Sequence, residues 1–130
     1  MAGAKMDGAG IAKMKTLDDA LTLLQRVHNL VEQYALALKR NQPAGHLTMS
    51  LRRTLPQLGE MLKGQFGMIA DQVMAVNLAT SRGASEQVRL RTYREGVAQV
   101  RQALEIAVNL TKEKHTVHDE KEPAKATEDS

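Results

Sequence analysis

Residues 16–40, TLDDALTLLQRVHNLVEQYALALKR, decide the fold class. Leu17, Leu21, Leu24, Val31, Ala35 and Leu38 recur at intervals of three and four, the period of one helix face. Ala20 extends that stripe with a small side chain, and Leu23, Val27, Leu30 and Tyr34 widen it enough to meet two neighbours. Thr16 predicts an N-cap, and Asp18 and Asp19 in the first turn suit the positive end of the helix dipole. Lys39 and Arg40 close the last turn, and Asn41-Gln42-Pro43 stop it.

The period resumes after Pro43-Ala44-Gly45 as Leu47, Leu51, Leu55, Leu58, Leu62, Phe66, Ile69, Val73 and Val76. Pro56 interrupts it. Proline costs roughly 3 kcal/mol inside a helix and little at the first helical position. The spacing therefore predicts a short helix over 46–54 and a long one over 56–81, with Thr54 and Leu55 at the junction; one kinked helix is the alternative. Gly59, Gly64 and Gly67 each weaken a helix by up to ~1 kcal/mol against Ala, which predicts close packing at those positions. Arg82-Gly83 predicts a helix end with Gly83 left-handed. Ser85 then caps a last helix, with Glu86 in its first turn. Its core stripe is Leu90, Tyr93, Val97, Val100, Leu104 and Ala107, with Val108 beside it, fading near Lys112 to Lys114.

The short link around Gly83 predicts an antiparallel hairpin, with the first helix packed across it. The expected fold is all-α: an up-and-down antiparallel helical bundle of three long helices and one short, over residues 16–114. Residues 1–15 are rich in Gly, Ala and Lys and are expected to form a flexible arm. Residues 115–130 are polar, contain Pro123 and are expected to form a disordered acidic tail. Composition agrees with helices. Tyr34, Phe66 and Tyr93 are the only aromatics in 130 residues, which argues against a sandwich or barrel. The absence of Cys excludes disulfides, thiolate metal sites and a cysteine nucleophile. No apolar run approaches the roughly 18 residues of a membrane span, and no signal peptide is recognisable. A soluble, cytoplasmic protein without a membrane partner is expected.

The net charge of +3 hides an asymmetry. Arg40 to Arg101 holds nine basic and four acidic residues, a net +5, whereas Glu113 to Ser130 is −3. A basic body with an acidic tail is a pattern of nucleic-acid binders. On the last helix Arg94 and Arg101, seven apart, lie nearly in line, with Arg91 one turn earlier and Arg82 and Arg89 near its start. Arg52 and Arg53 are expected to join them, near the far end of the last helix. Arginine grips phosphate bidentately. With three aromatics, base stacking is no main mode, so contacts would go to the nucleic-acid backbone. The plainer reading is a solvated face paired with Glu95, Glu105 and the tail.

No residue set points to chemistry. His28 reads as a boundary residue and His46 as a linker residue. His115 and His118 have metal-compatible i,i+3 spacing but fall in the expected tail. Glu32, Glu60, Glu95 and Glu105 lack the His companions of a di-iron bundle. Met61, Met68 and Met74 read as core filler, with an adaptable packing surface as the alternative. The expectation is a non-enzyme with no cofactor and no metal.

The stretch SLRRTLPQLGEMLKGQFGMIADQVMAVNLATSRGASEQVRLRTYREGVAQVRQALEIAVNL, residues 50–110, carries Arg52-Arg53, Leu58-Gly59, Ile69-Ala70-Asp71, Arg82-Gly83 and Ala103-Leu104-Glu105. In these it resembles the small four-helix bundle proteins that include the 23S rRNA intervening-sequence proteins and the accessory variability determinant of diversity-generating retroelements. It departs from them in Pro56 and in having no full fourth helix after residue 112. The resemblance implies a ring-like homo-oligomer such as a pentamer, and binding to nucleic acid or to a nucleic-acid enzyme such as a reverse transcriptase. The apolar breadth of the first helix independently predicts homo-oligomerisation. The functional expectation is a non-enzymatic bundle that binds RNA or DNA backbone through Arg52, Arg53, Arg82, Arg89, Arg91, Arg94 and Arg101. The competing class is a protein–protein adaptor.

Overall fold

Residues 5–81 and 83–117 are described by a computed structural model. Four helices follow in chain order: α1 (Gly8–Lys39), α2 (Gly45–Lys63), α3 (Gly67–Thr80) and α4 (Glu86–His115). α1 packs on α2 and α4, and α3 packs on the same two, so the helices close into a ring of neighbours. All four pairings are antiparallel: Thr16 bonds to Gln65, Gly59 faces Met74, Gly96 faces Val76 and Arg94 meets Glu32. The helical-bundle expectation holds, with different proportions. α1 and α4 have 32 and 30 residues, and α2 and α3 have 19 and 14, so two helices are long and two short. The surplus of α1 and α4 projects past the α2–α3 turn. An antiparallel pairing of β1 (Lys5–Met6) with β2 (Thr116–Val117) ties its ends.

The core is aliphatic, as the stripes require. Leu17, Ala20, Val27 and Tyr34 of α1 are fully buried with Leu51, Leu58 and Leu62 of α2 and Tyr93 and Leu104 of α4. Tyr34 and Tyr93 meet edge to face, with ring centroids 6.1 Å apart. Both flanks of α1 are covered, one by α2 and one by α4. Its apolar breadth is therefore used inside the chain and does not itself call for a second copy.

Three expected boundaries move. α1 starts at Gly8 rather than Thr16, so residues 8–15 of the expected arm are helical. Asp7 is the N-cap, its Oδ1 accepting the Gly10 N–H at 2.7 Å. Thr16 instead sits mid-helix, its hydroxyl donating to the Ala12 carbonyl at 3.2 Å. α2 runs unbroken through Pro56, and the break falls at 64–66. Leu51, Leu55, Leu58 and Leu62 are all buried, and a helix end at Thr54 would split that stripe; their burial outweighs the proline. α4 reaches His115, where the acidic tail was expected to begin, because its last turn docks on α1. Residues 1–4 and 118–130, the rest of both expected flexible segments, lie outside the described residues, as does Arg82.

The turns follow the sequence closely. Asn41 adopts φ 54°, with Gln42 N–H donating to Ala37 O at 2.8 Å and Asn41 N–H to Leu38 O at 3.2 Å, the Schellman pattern. Gly83 has φ 70°, and the Ser85 hydroxyl caps α4 by accepting the Val88 N–H at 3.2 Å.

Candidate nucleic-acid interface

The fold divides the candidate arginines. Arg89 is half-buried and tied down by hydrogen bonds. Its Nε donates to Thr80 O at 3.0 Å, its Nη2 to Ala84 O at 3.2 Å and its Nη1 to the Tyr34 hydroxyl at 3.4 Å. It closes the α3–α4 turn. Arg52 lies at the same end, its Nη2 donating to Ser81 O at 3.4 Å, so it stands at the start of α4 rather than the expected far end. α3 has no basic residue in its last turn. Arg52 of α2 and Arg89 of α4 supply the positive charge that its C-terminal carbonyls attract. Beneath them, burial pushes the Tyr93 hydroxyl above the usual phenol value, while Thr80 and the guanidiniums of Arg52 and Arg89 oppose that shift.

Arg94 and Arg101 share the α1–α4 side. Arg94 forks onto Glu32, Nε to Oε2 at 3.2 Å and Nη2 to Oε1 at 3.0 Å. The Arg94 hydrogen bonds hold the Glu32 carboxyl below its usual value. Arg101 Nη2 donates to Gln25 Oε1 at 3.3 Å. The partners are thus on α1, not the expected Glu95 and Glu105. Arg94 keeps both Nη1 donors, and Arg101 keeps Nε and Nη1, for an outside acceptor. A cleft of about 130 Å³ between His28, Glu32, Arg94 and Arg101 follows this seam. A wider one of about 480 Å³ lies beyond Arg94, lined by Glu32, Leu36, Lys39 and Gln87. Arg91 stands exposed on the outer side of α4, and Arg53 stands exposed on α2, across the bundle. Neither makes an ion pair or hydrogen bond among the described residues. The structure therefore brings together Arg94 and Arg101 on the seam, leaves Arg91 one turn away on the outer side of α4, and separates all three from Arg52, Arg53 and Arg89.

One polar cluster escaped the reading of the sequence. Asp7 Oδ1 lies 3.2 Å from His115 Nδ1, and His115 Nε2 lies 3.1 Å from Lys13 Nζ. A proton on Nδ1 satisfies both contacts, with the imidazole donating to the carboxylate and accepting from the ammonium. The Gly10 N–H, with His115 and Lys13 adding to it, keeps the Asp7 carboxyl below its usual value. The three residues come from positions assigned to two flexible ends, so their contact left no trace in local spacing. They join the helix termini. Among the described residues no group of three or more His, Asp or Glu is placed to hold a metal ion. No described helix is long and apolar enough to cross a membrane. Comparison with protein-family models, with curated proteins and with solved structures gave no match.

Proposed function

We propose that this chain is a non-enzymatic, homo-oligomeric helical bundle that binds the phosphate backbone of nucleic acid along the α1–α4 seam. The observation that carries the reading is the pair Arg94 and Arg101 beside two clefts, with guanidinium donors left over on both and Arg91 exposed one turn away. Glu32 and Gln25 hold two of these side chains in place, which lowers the entropy lost when a phosphate is gripped. Few aromatics means weak base readout and a steep salt dependence. A role as accessory factor to a nucleic-acid enzyme, such as a reverse transcriptase, is the narrower form suggested by the family resemblance.

The test is fluorescence anisotropy with single-stranded RNA and duplex DNA over a range of salt. Arg91→Glu with Arg101→Glu is expected to weaken binding to all sequences alike and to flatten the salt slope. Arg94 is kept, because its loss would leave Glu32 without its partner. A folded double variant that binds like the parent sinks the reading. The adaptor reading has its own support in Met68 and Leu78, which stand exposed on α3. A pull-down from lysate that retains a protein partner after nuclease, with no nucleic acid recovered, would favour it.

A further inference from the structure

Met61, Met68 and Met74, which the sequence suggests as core filler, are all exposed, on α2 and α3. Leu110 of α4 is exposed too, and it lines a cleft of about 500 Å³. The cleft follows from the helix lengths. α1 and α4 outrun α2 and α3, and Phe66, in the α2–α3 turn, closes the recess beside their projecting ends. α4 lines it with Ala107, Leu110, Thr111 and Lys114, which share one helix face, and α1 adds Lys13. Thr111 is only 5% exposed, yet its hydroxyl has no hydrogen-bond partner among the described residues. The other threonines of the four helices, Thr16, Thr22, Thr48, Thr54, Thr80 and Thr92, each donate to a carbonyl three or four positions back. The Thr111 oxygen is not sealed off and opens onto the cleft. An unpaired hydroxyl in a buried side chain is costly, so its missing bond falls to whatever enters the cleft.

We infer that this cleft binds a straight-chain carboxylic acid of medium length, its carboxylate held by Thr111, Lys13 and Lys114 and its hydrocarbon chain lying on Phe66, Ala107 and Leu110. The site is separate from the proposed nucleic-acid seam and does not rest on it. Its polarity selects an amphipathic ligand. The ammonium groups stand toward the chain termini, whereas Phe66 and Ala107, both half-buried, stand toward the α2–α3 turn. The donors select the head group. Lys114 is exposed and has no partner among the described residues. Lys13 gives one N–H to His115 Nε2 at 3.1 Å and keeps two. Together with the Thr111 hydroxyl they match a group that only accepts, which an ionised carboxylate does. The charge selects a monoanion. Glu113 also lines the cleft, so two ammonium groups and one carboxylate leave room for a single negative charge rather than the nearly two of a phosphate monoester. Asp7 lies behind His115, its carboxylate already accepting the Gly10 N–H. Length follows from α4: Ala107 to Lys114 spans roughly 10 Å at 1.5 Å per residue, about eight extended carbons. The volume is that of a small-molecule site.

Isothermal titration calorimetry of the full chain with octanoate, without nucleic acid, is expected to show one site per chain with a dissociation constant on the order of 100 μM. Octanol, which lacks the charge, and acetate, which lacks the hydrocarbon chain, should each bind about tenfold more weakly or worse. Thr111→Val keeps the side-chain shape and removes the hydroxyl, and Lys114→Gln removes the exposed ammonium. Each should weaken octanoate roughly 5- to 10-fold with helical circular dichroism unchanged. Leu110→Asp should weaken it at least as much, by placing a like charge on the floor. Leu110 and Lys114 are exposed, so these two variants keep the fold even if Thr111→Val does not. Lys39→Gln, at the other end of α1, should bind as the parent does. No octanoate binding by the full chain, octanol or octyl phosphate bound as tightly as octanoate, or parental affinity in Lys114→Gln and Leu110→Asp overturns the inference. Nucleic acid takes no part in these titrations, so the two readings fail separately.

Discussion

Gly96 and Gly59 are both helical glycines approached by a neighbouring helix, and they differ in what they meet. A Cβ on Gly96 would run into the Val76 side chain, and one on Gly59 would reach Met74 Sδ at 2.8 Å. Valine is branched at Cβ and holds one rotamer in a helix, whereas methionine has three rotatable bonds. Gly96→Ala is expected to destabilise by about 1–3 kcal/mol through overpacking, less the ~1 kcal/mol helix preference of Ala. Gly59→Ala is expected to be neutral or to gain up to ~1 kcal/mol. Urea midpoints of the two variants check the contrast; equal effects would mean that α3 shifts freely against α4. The sequence named Gly59 as a close-packing position, and it is one. It also named Gly64 and Gly67, which face open space, one closing α2 and the other opening α3. Gly96 carries no such signal, because nothing within α4 shows which of its faces meets Val76. Arg89 departs from its expected place on the basic surface for the same reason. A basic residue after a helix start looks like surface charge until the turn brings the Thr80 and Ala84 carbonyls to it.

At the scale of the helix, propensity and burial compete most openly in α2. Pro56 sits inside it and has no N–H to donate to the carbonyl one turn back. The four buried leucines around it hold the helix together all the same. Pro56→Ala is therefore expected to stabilise the fold, by up to ~3 kcal/mol, seen as a higher urea midpoint with an unchanged slope. No gain would show that the bundle already satisfies that carbonyl another way. Helix identity and the turns at Asn41 and Gly83 were legible because each depends on neighbours in sequence. Helix lengths were less so. Whether Pro56 or the glycines end a helix depends on the core that forms around them. The early start of α1 depends on Asp7 meeting His115, 108 residues away.

Across the whole molecule, charge ties α1 to α4 and sets the pH response. Arg94 lowers the Glu32 carboxyl, so the folded state binds that proton less tightly than the unfolded chain. The stability gained is present in full above the ordinary carboxylate value of 4.5 and is lost as pH falls through the lowered one. With side chains 51% and 44% exposed, the pair is worth only a few tenths of a kcal/mol. Glu32→Gln should remove that increment at neutral pH and leave stability unchanged in acid, by urea titration at both. The same long-range charge argues for a role of the last 13 residues. Residues 118–130 carry five acids and two lysines, so cutting after Val117 raises the net charge from +3 to +6. The cut belongs there rather than at residue 115, because His115 holds Asp7 and Lys13, and Thr116–Val117 pair with β1. The truncated chain should keep its fold and bind nucleic acid more tightly at low salt. The advantage should shrink as salt rises, because the tail acts through space over about one Debye length, ~10 Å at 0.1 M. Equal affinity for the cut and full chains at low salt would show that the tail does not compete for the α1–α4 seam. A gain that persists at high salt would point to steric cover by the tail instead of charge.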